Sequence, residues 1–304
     1  MTPERILITG ASGFVGRHLV NALIKTFPAA DLITTHFDLT DLDQINSAIR
    51  AANPQSCIHL AAIATPAQAS ADKALAWRVN LNGTLELARA ILRHAPDCQF
   101  IFASSADAYG ASFRSGEPVT ETTPLAPLNP YAATKAAADL ALGAMVPEGL
   151  RLVRLRPFNH TGSGQSPSLV TAAFARQVAL IEAGRQSPLI EVGNLSLRRE
   201  MLDVRDIAAA YVACITHRDT LLPNEIINLT SGEPRPIADI LDTLKDLAGL
   251  QAETRVDPTR IRAIDMSVVT GDPTHARNVV AWTTTIPWRQ TMRDVLNDWR
   301  HRIR

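Results

Sequence analysis

The 304-residue sequence is poor in cysteine and in aromatic residues, and it has no excess of either charge. Cys57, Cys98 and Cys214 are far apart and have no Cys-x-x-Cys spacing, so we expect free thiols in or near the core and a reducing compartment. The eight histidines include no His-x-x-x-His pair. Because zinc sites commonly use these spacings, we predict no structural or catalytic metal.

Charge and hydrophobic run lengths limit the partners further. Thirty basic residues balance thirty acidic ones, so no overall field favours nucleic acid or a membrane surface. No apolar run approaches the roughly 18 to 20 residues needed to cross a bilayer. The first strand pattern begins at Ile6, which leaves no room for a signal peptide. We therefore expect a cytoplasmic protein that acts on a small molecule.

Short apolar runs alternate with helical stretches over the first half of the chain, and this pattern predicts an α/β fold with a doubly wound parallel sheet of the Rossmann type. The predicted strands are 6–9, a short 31–35, 56–61, 100–104, 152–155 and 225–229, and the predicted helices are 16–25, 72–92 and 131–145. We assign residues 1–164 to a dinucleotide-binding domain that the chain rejoins at about 203–230. Residues 165–202 and 231–304 then form a smaller α+β lobe for the substrate.

A glycine-rich turn joins the first strand to the first helix. Gly10, Gly13 and Gly16 are three residues apart between the run 5–9 and an amphipathic segment. Such a turn lets the backbone approach a pyrophosphate, whose charge then lies at the helix N-terminus. A glycine triplet alone is weak evidence, but here the strand and helix that the motif requires are both present. The sequence therefore predicts a dinucleotide site.

The choice between NAD and NADP depends on an acidic residue after the second strand. A carboxylate about 20 residues beyond the glycines would bind the ribose hydroxyls of NAD, and Asp38 stands at about that distance. However, Asp38 lies in a Phe-Asp-Leu-Thr-Asp segment typical of the turn on the adenine side, and the strand 31–35 then ends without an acid. The absence of an acidic residue favours NADP. No arginine is evident that would bind the 2′-phosphate of NADP, so the choice stays open.

Tyr131 and Lys135 are the clearest candidates for chemistry. Four residues apart on a helix, their side chains share one face. A tyrosine pKa lowered from about 10 to about 7 requires about 4 kcal/mol, which one charge at about 4 Å supplies where the effective dielectric is near 20. The spacing also arises by chance on solvated helices. Ser105, at the end of the strand 100–104, would add a hydroxyl at the edge where parallel sheets bind ligands.

These features resemble the extended short-chain dehydrogenase/reductase family, and within it the nucleotide-sugar branch, the NAD-dependent epimerase/dehydratase family. Tyr131 would then donate or accept the proton, Lys135 would hold the nicotinamide ribose and tune Tyr131, and Ser105 would bind the reacting oxygen. The supporting motifs lie at 9–16, 59–62, 80–84, 104–110, 130–135 and 156–160. Besides Tyr131 and Lys135, the cofactor-binding residues implied are Gly10, Gly13, Phe14, Val15, Gly16, Asp38, Leu39, Leu60, Ala61, Ala62 and Asn80. We interpret His59 as a core histidine.

Three further segments, 156–165, 192–206 and 257–262, look most like GDP-4-keto-6-deoxy-D-mannose reductases. The resemblance implies that Asn159, Arg199 and Arg262 bind the nucleotide and its diphosphate, for which the planar fork of arginine is suited. Without it, Asn159 could be a loop cap and the arginines surface residues. The chain departs from the related pattern, which has proline, aspartate, phenylalanine and proline in place of Ser163, Glu200, Met201 and Ala263.

The expected reaction follows from positions 106 and 107. Related sugar 4,6-dehydratases need an acid and a base there, and Ala106 can be neither. This resemblance therefore implies reduction by NAD(P)H of a 4-keto nucleotide sugar, GDP-4-keto-6-deoxy-D-mannose to GDP-D-rhamnose. A nucleotide-sugar 4-epimerase with retained NAD is the alternative, and a non-catalytic NAD(P)-sensing regulator is a third class. A homodimer through the helix that carries Tyr131 is implied by the resemblance as well.

Overall fold

A computed structural model describes residues 5–261 and 266–304. Its strands, in chain order, are β1 (Arg5–Thr9), β2 (Asp31–Ile33), β3 (Ser56–His59), β4 (Gln99–Ala103), β5 (Arg151–Pro157), β6 (His160–Thr161), β7 (Leu189–Val192), β8 (Arg198–Arg199), β9 (Leu202–Asp203), β10 (Asn224–Leu229), β11 (Arg235–Pro236), β12 (Glu253–Val256) and β13 (Val268–Val269). The helices are α1 (Phe14–Thr26), α2 (Leu42–Ala52), α3 (Pro66–Ala71), α4 (Lys73–Trp77), α5 (Thr84–His94), α6 (Pro130–Ala144), α7 (Val170–Glu182), α8 (Val204–Thr216), α9 (Ile237–Ala248), α10 (Thr274–Val280) and α11 (Trp288–Arg302).

The central sheet has six parallel strands in the order β10-β5-β4-β3-β1-β2. Helices cover both faces, because alternate residues of each strand point to opposite sides. Ile6 and Ile8 pack in one buried cluster with α1 and α8, whereas Leu7 packs in the other with α2, α5 and α6. This arrangement confirms the predicted α/β doubly wound fold.

Three predicted elements differ from the structure, and the first is the strand predicted over 31–35, which ends at Ile33. The strand predicted over 56–61 ends at His59, and the next residues form part of a cavity wall. The helix predicted over 72–92 is interrupted by a π-helical turn at Arg78–Gly83 between α4 and α5. A π-helical turn inserts an extra residue and so changes the direction of the following side chains. Hydrophobic periodicity alone does not reveal such an insertion.

A third buried cluster lies away from the central sheet. It joins α7, α9 and α11 and includes Val178, Leu244 and Leu296, together with Ile190 and Val192 of β7. These elements come from 165–202 and from the chain after 231, the two segments that we assign to the substrate lobe. The position of the boundary between domains stays a prediction.

The structure also bears on the cysteines, on metal-binding side chains and on membrane-spanning helices. The three cysteines are buried and free of disulfides, as predicted for core residues. Within residues 5–261 and 266–304, no three His, Cys, Asp or Glu side chains are grouped as metal ligands would be. No helix in those ranges combines the length and the apolar character needed to cross a bilayer.

One buried carboxylate fixes α6 against the sheet. Asp139, fully buried on α6, accepts hydrogen bonds from Ser104 Oγ at 2.6 Å, from Arg154 Nη1 at 3.0 Å and from Arg156 Nε and Nη2 at 3.0 and 2.8 Å. Burial raises the pKa of Asp139, but the hydrogen bonds and charge of Arg156, with those of Ser104 and Arg154, outweigh it and the net pKa is lowered. The carboxylate is therefore ionised and links the helix to both neighbouring strands.

Replacing Asp139 by asparagine should destabilise the fold by about 3–5 kcal/mol, because it leaves two buried arginines without their counter-ion. Urea unfolding of Asp139→Asn at pH 7 measures this free energy. Asp246→Asn is the matched control, since Asp246 pairs with Arg289 at 2.6 Å on an exposed surface and should contribute at most about 1 kcal/mol. Equal unfolding midpoints for the two variants would show that Asp139 does not hold the helix.

Candidate active site

A cavity of about 830 Å³ opens at the C-terminal ends of β1, β3 and β4. In a doubly wound sheet this is the edge that binds ligands. Most of the residues predicted from the sequence border it: Gly10, Gly13, Phe14, Val15, Gly16, Asp38, Leu39, Leu60, Ala61, Ala62, Ser105, Tyr131, Lys135, Asn159 and Arg199. Asn80 is absent from the cavity wall, and Arg262 lies outside the described residues.

The glycine turn has the shape that a bound pyrophosphate requires. Gly10 has a φ of 73°, and a Cβ there would lie 2.7 Å from Ala61 N. A Cβ on Gly16 would lie 2.3 Å from Gly10 O, so both positions require glycine. Gly13 precedes α1 without a side-chain cap, so the first N–H groups of the helix remain available to an anion. The turn therefore fits a dinucleotide.

The far wall of the cofactor side is held by a chain of hydrogen bonds through His59. Ala61 N donates to Thr9 Oγ1 at 3.2 Å, Thr9 Oγ1 lies 2.7 Å from His59 Nδ1, and His59 Nε2 lies 2.9 Å from Thr84 Oγ1. Thr84 Oγ1 donates its own proton to Asn80 O at 2.8 Å, so it accepts from His59 Nε2–H. The proton of His59 is thereby placed on Nε2, and Nδ1 accepts from Thr9.

His59 is 1% exposed. Burial, with a smaller effect from the charge of Lys135, lowers the pKa of His59 to about 3. A neutral histidine with both ring nitrogens hydrogen-bonded inside the protein is a structural residue, in agreement with the interpretation made from the sequence.

Asn80, on the π-helical turn, continues this chain to the helix that carries Tyr131. Its Oδ1 accepts from Ile63 N at 2.8 Å, and its Nδ2 donates to Ile63 O at 3.1 Å and to Thr134 Oγ1 at 3.0 Å. Thr134 Oγ1 in turn donates to Tyr131 O at 2.8 Å. Asn80 is 1% exposed, so it positions the wall that contains Ile63 and does not itself line the cavity, contrary to our expectation.

On the side where an adenosine would bind, the chain after β2 contributes Thr35, His36 and Asp38. Asp38 Oδ1 accepts from Thr40 N and Thr40 Oγ1, each at 2.8 Å. These two hydrogen bonds lower the pKa of Asp38, and the charges of His36 and Arg78 act in the same direction. No acidic residue directly follows β2 in the sequence, as the NADP interpretation requires.

Tyr131, Ser105 and Lys135 all border the first cavity. Ser105 Oγ accepts from Asp107 N at 3.1 Å, and its side chain borders the same cavity as Tyr131. Lys135 is 4% exposed, and its Nζ donates to Ala103 O at 2.7 Å. Burial lowers the pKa of Lys135 to about 8, against the opposing charge of Asp139. The structure therefore brings the three side chains to one cavity, and their joint role as donors stays a prediction.

The direction of the Tyr131 pKa shift differs from our expectation. Burial, followed by the negative charge of Asp107, raises the pKa of Tyr131, and the Ser105 side chain offsets only part of this. The phenol therefore keeps its proton at neutral pH. The largest effect is the loss of water around the phenol, which the spacing of Tyr131 and Lys135 does not reveal.

A second cavity of about 550 Å³ adjoins the first and lies in the substrate lobe. Asn159, at the end of β5, and Arg199, on β8, border both cavities. Arg199 Nη1 donates to Arg198 O at 2.8 Å. The structure therefore places two of the three predicted substrate residues together, where a nucleotide sugar could extend from one cavity into the other.

Glu200, a departure from the related pattern, has a structural role. Its Oε2 accepts from Thr230 Oγ1 and Ser231 N, both at 2.6 Å, and its Oε1 accepts from Thr270 Oγ1 and Gly271 N, both at 2.9 Å. The side chain is fully buried. Glu200 therefore fixes the strand that carries Arg199 to two neighbouring segments.

Sequence reasoning missed His160, which also borders both cavities. Its ring is parallel to that of Phe14, with centroids 6.1 Å apart. The available signal was its place directly after Asn159 in the motif 156–160, but a motif does not show which of its side chains face a cavity.

Known proteins resemble the chain over nearly its whole length. The model of the NAD dependent epimerase/dehydratase family matches residues 6–230. GDP-6-deoxy-D-mannose reductase of Pseudomonas aeruginosa is 34% identical over 99% of each chain. The solved structure of RMD from Pseudomonas aeruginosa complexed with NADPH has a TM-score of 0.90 and 32% identity, covering 98% of this chain and 99% of that one. The UDP-glucose 4-epimerase of Thermus thermophilus in complex with NAD has a TM-score of 0.85 and 26% identity, covering 97% of this chain and 99% of that one.

The burial of neutral His59 should make stability depend on pH. The unfolded chain takes up a proton at this residue near pH 6.5, whereas the folded protein does so only near pH 3, so stability falls as the pH falls between these values. Between pH 7 and pH 5 the loss from His59 is about 2 kcal/mol. Urea unfolding at pH 7 and pH 5 measures the loss of unfolding free energy over this range. The loss should be larger for the wild type than for His59→Gln by about this amount. If the unfolding free energy changes equally with pH in the two proteins, folded His59 binds its proton near pH 6.5.

Proposed function

This chain belongs to the NAD dependent epimerase/dehydratase family, and we propose that it reduces the 4-keto group of a nucleotide sugar with NAD(P)H. One observation carries the proposal. The donor set of Ser105, Tyr131 and Lys135 lies in the same cavity as the glycine turn, and that cavity adjoins a second one in the substrate lobe. A dinucleotide and a nucleotide sugar can therefore meet at the tyrosine.

The side chains divide the chemistry among them. When bound, the reduced nicotinamide supplies the hydride. Tyr131 keeps its proton at neutral pH because burial raises its pKa, so it is prepared to protonate the oxygen that becomes negative. Ser105 borders the same cavity as Tyr131 and holds that oxygen beside the phenol. The ammonium of Lys135, directed to Ala103 O at 2.7 Å, reduces the cost of the phenolate that remains.

Reduction without dehydration is supported by the residue next to Ser105. Ala106 is 3% exposed and carries no acid or base, so the pair that a 4,6-dehydratase needs is incomplete. We infer GDP-4-keto-6-deoxy-D-mannose as the substrate and GDP-D-rhamnose as the product, supported by the 34% identity to the Pseudomonas aeruginosa reductase. We infer NADPH as the reductant, since β2 is followed by no acid and the similar RMD structure contains NADPH.

The implied homodimer stays a prediction. Leu140 on α6 is 60% exposed and Trp77 at the end of α4 is 40% exposed. A contact through the helix that carries Tyr131 would cover the first of these apolar side chains.

The substrate is tested by incubating the protein with GDP-4-keto-6-deoxy-D-mannose and NADPH. We expect stoichiometric oxidation of NADPH and a GDP-6-deoxyhexose product. In a parallel measurement, GDP should raise the melting temperature more than UDP or dTDP does. Stabilisation by UDP alone would refute the mannose-derived substrate. A tightly retained NAD, with interconversion of sugar epimers and no net oxidation of NADPH, would instead identify a 4-epimerase.

Tyr131→Phe should lower turnover by about two or more orders of magnitude, because the oxygen loses its proton donor. Cofactor affinity should survive, since the phenol oxygen does not form the glycine turn. The matched control is Tyr109→Phe, which makes the same chemical change at a buried residue whose hydroxyl binds Asn228 and Arg156 outside the cavity. That control should lose about 1–2 kcal/mol of stability and keep its turnover. Near-normal turnover in Tyr131→Phe would remove Tyr131 from the reaction.

A further inference from the structure

His160 occupies the boundary between the two cavities. It begins β6, directly after Asn159, and its half-buried ring borders both spaces. The ring of Phe14 is parallel to it, with an angle of 2° between the planes. A side chain in this position is adjacent to any ligand that extends from the cofactor side to the substrate lobe.

The hydrogen bonds of His160 determine which ring nitrogen carries the proton. Nδ1 lies 2.9 Å from Phe158 O. A carbonyl oxygen only accepts, so Nδ1 carries the proton and the neutral ring presents Nε2 as an acceptor. Among residues 5–261 and 266–304, no group donates a hydrogen bond to Nε2. Nε2 is also not among the fully buried side-chain atoms that lack a hydrogen-bond partner, so it is accessible. The ring therefore offers an acceptor toward the cavities that it borders.

The other polar side chains at this boundary are less suited than His160 to accept a hydrogen bond from a ligand. Arg199 is a donor. Gln165 has both amide atoms committed, since its Oε1 accepts from Thr161 Oγ1 at 2.7 Å and its Nε2 donates to His160 O at 2.8 Å. Asn159 is the residue that we assign to the nucleotide. A sugar hydroxyl or a carboxamide N–H group at the boundary requires an acceptor, which Nε2 of His160 supplies.

We propose that His160 is a positioning residue whose Nε2 accepts a hydrogen bond from an O–H or N–H group of the bound ligand, where the dinucleotide and the nucleotide sugar meet. This inference rests on the proposed function. Two sources have the required chemistry, a hydroxyl of the sugar and the carboxamide of the nicotinamide. Separate binding measurements distinguish them.

The electrostatic surroundings keep His160 neutral near pH 7. Burial lowers its pKa from the ordinary value of 6.5, and the hydrogen bond with Phe158 opposes this shift. Among residues 5–261 and 266–304, the ionisable groups near it include Arg199 at the same boundary, Asp203 on the paired strand β9, and His18 beyond Phe14. Asp203 is bound by Arg205 and Thr291, and His18 Nε2 lies 2.8 Å from Ser163 O. Protonation below pH 6.5 would put a proton on Nε2 and turn the acceptor into a donor.

Two substitutions of His160 distinguish the role of Nδ1 from the role of Nε2. The amide of asparagine reaches the position of Nδ1, so His160→Asn can keep the bond to Phe158 O and loses the outer acceptor. The amide of glutamine reaches the position of Nε2, so His160→Gln keeps an outer acceptor that does not titrate. A purely structural role would favour the asparagine variant, whereas the proposal favours the glutamine variant.

The experiment measures dissociation constants of NADPH, GDP-mannose and GDP at pH 8 for the wild type and both variants, after their melting curves show folded protein. We expect His160→Asn to bind either NADPH or GDP-mannose about tenfold more weakly, and His160→Gln to stay within about threefold of the wild type. A defect with GDP-mannose but not GDP assigns the sugar hydroxyl, and a defect with NADPH assigns the carboxamide. As the pH falls far enough below 6.5 to protonate His160, wild-type affinity for that ligand should fall, while that of His160→Gln should not.

Affinities of His160→Asn within twofold of the wild type for both ligands would overturn the proposal, as would equal losses in both variants. If His160→Gln does not fold, the pH series decides, because wild-type affinity must converge on that of His160→Asn as the pH falls. A wild-type protein that binds NADPH but neither GDP nor GDP-mannose would refute the proposed substrate, and this outcome differs from any effect of the His160 variants.

Discussion

The ionised carboxylate of Asp139 is the constraint on which the site depends. It binds Ser104 at the end of β4 and Arg154 and Arg156 on β5, and so sets both the rotation and the height of α6 over the sheet. Lys135 lies one helical turn before Asp139, and Tyr131 one turn before that, so both inherit their positions from this contact. Because a buried charge without its partners is costly, α6 has little freedom to shift away from the strand ends.

A second, uncharged network holds the cofactor side of the cavity in register with the same helix. It runs from Thr9 through His59 and Thr84 to Asn80, and Asn80 contacts Thr134 on α6. Its members are buried and every proton has a defined direction, so the glycine turn and the tyrosine are connected through the interior. Neutrality suits this position, since a charged His59 would face the ammonium of Lys135 at close range.

The polarity of the site follows from these two supports. Burial and the charge of Asp107 raise the pKa of Tyr131, so its phenol stays protonated at neutral pH. Lys135 has a pKa of about 8, so modest changes in local charge alter its protonation. On the substrate side, Glu200 joins the strand of Arg199 to Thr230 and Thr270, which fixes an arginine at the boundary of the two cavities.

The sequence alone was enough to predict the fold, the glycine turn and the grouping of Ser105 with Tyr131 and Lys135. These features depend on short spacings and on the alternation of strands and helices, which local geometry translates directly into structure. Tertiary structure decided the direction of the Tyr131 pKa shift, the place of Asn80 behind the wall, the break at Arg78–Gly83, and the protonated nitrogens of His59 and His160. Each of these depends on burial and on partners distant in the chain, such as Asn80 with Thr134, and no local spacing encodes the amount of water that the completed fold excludes.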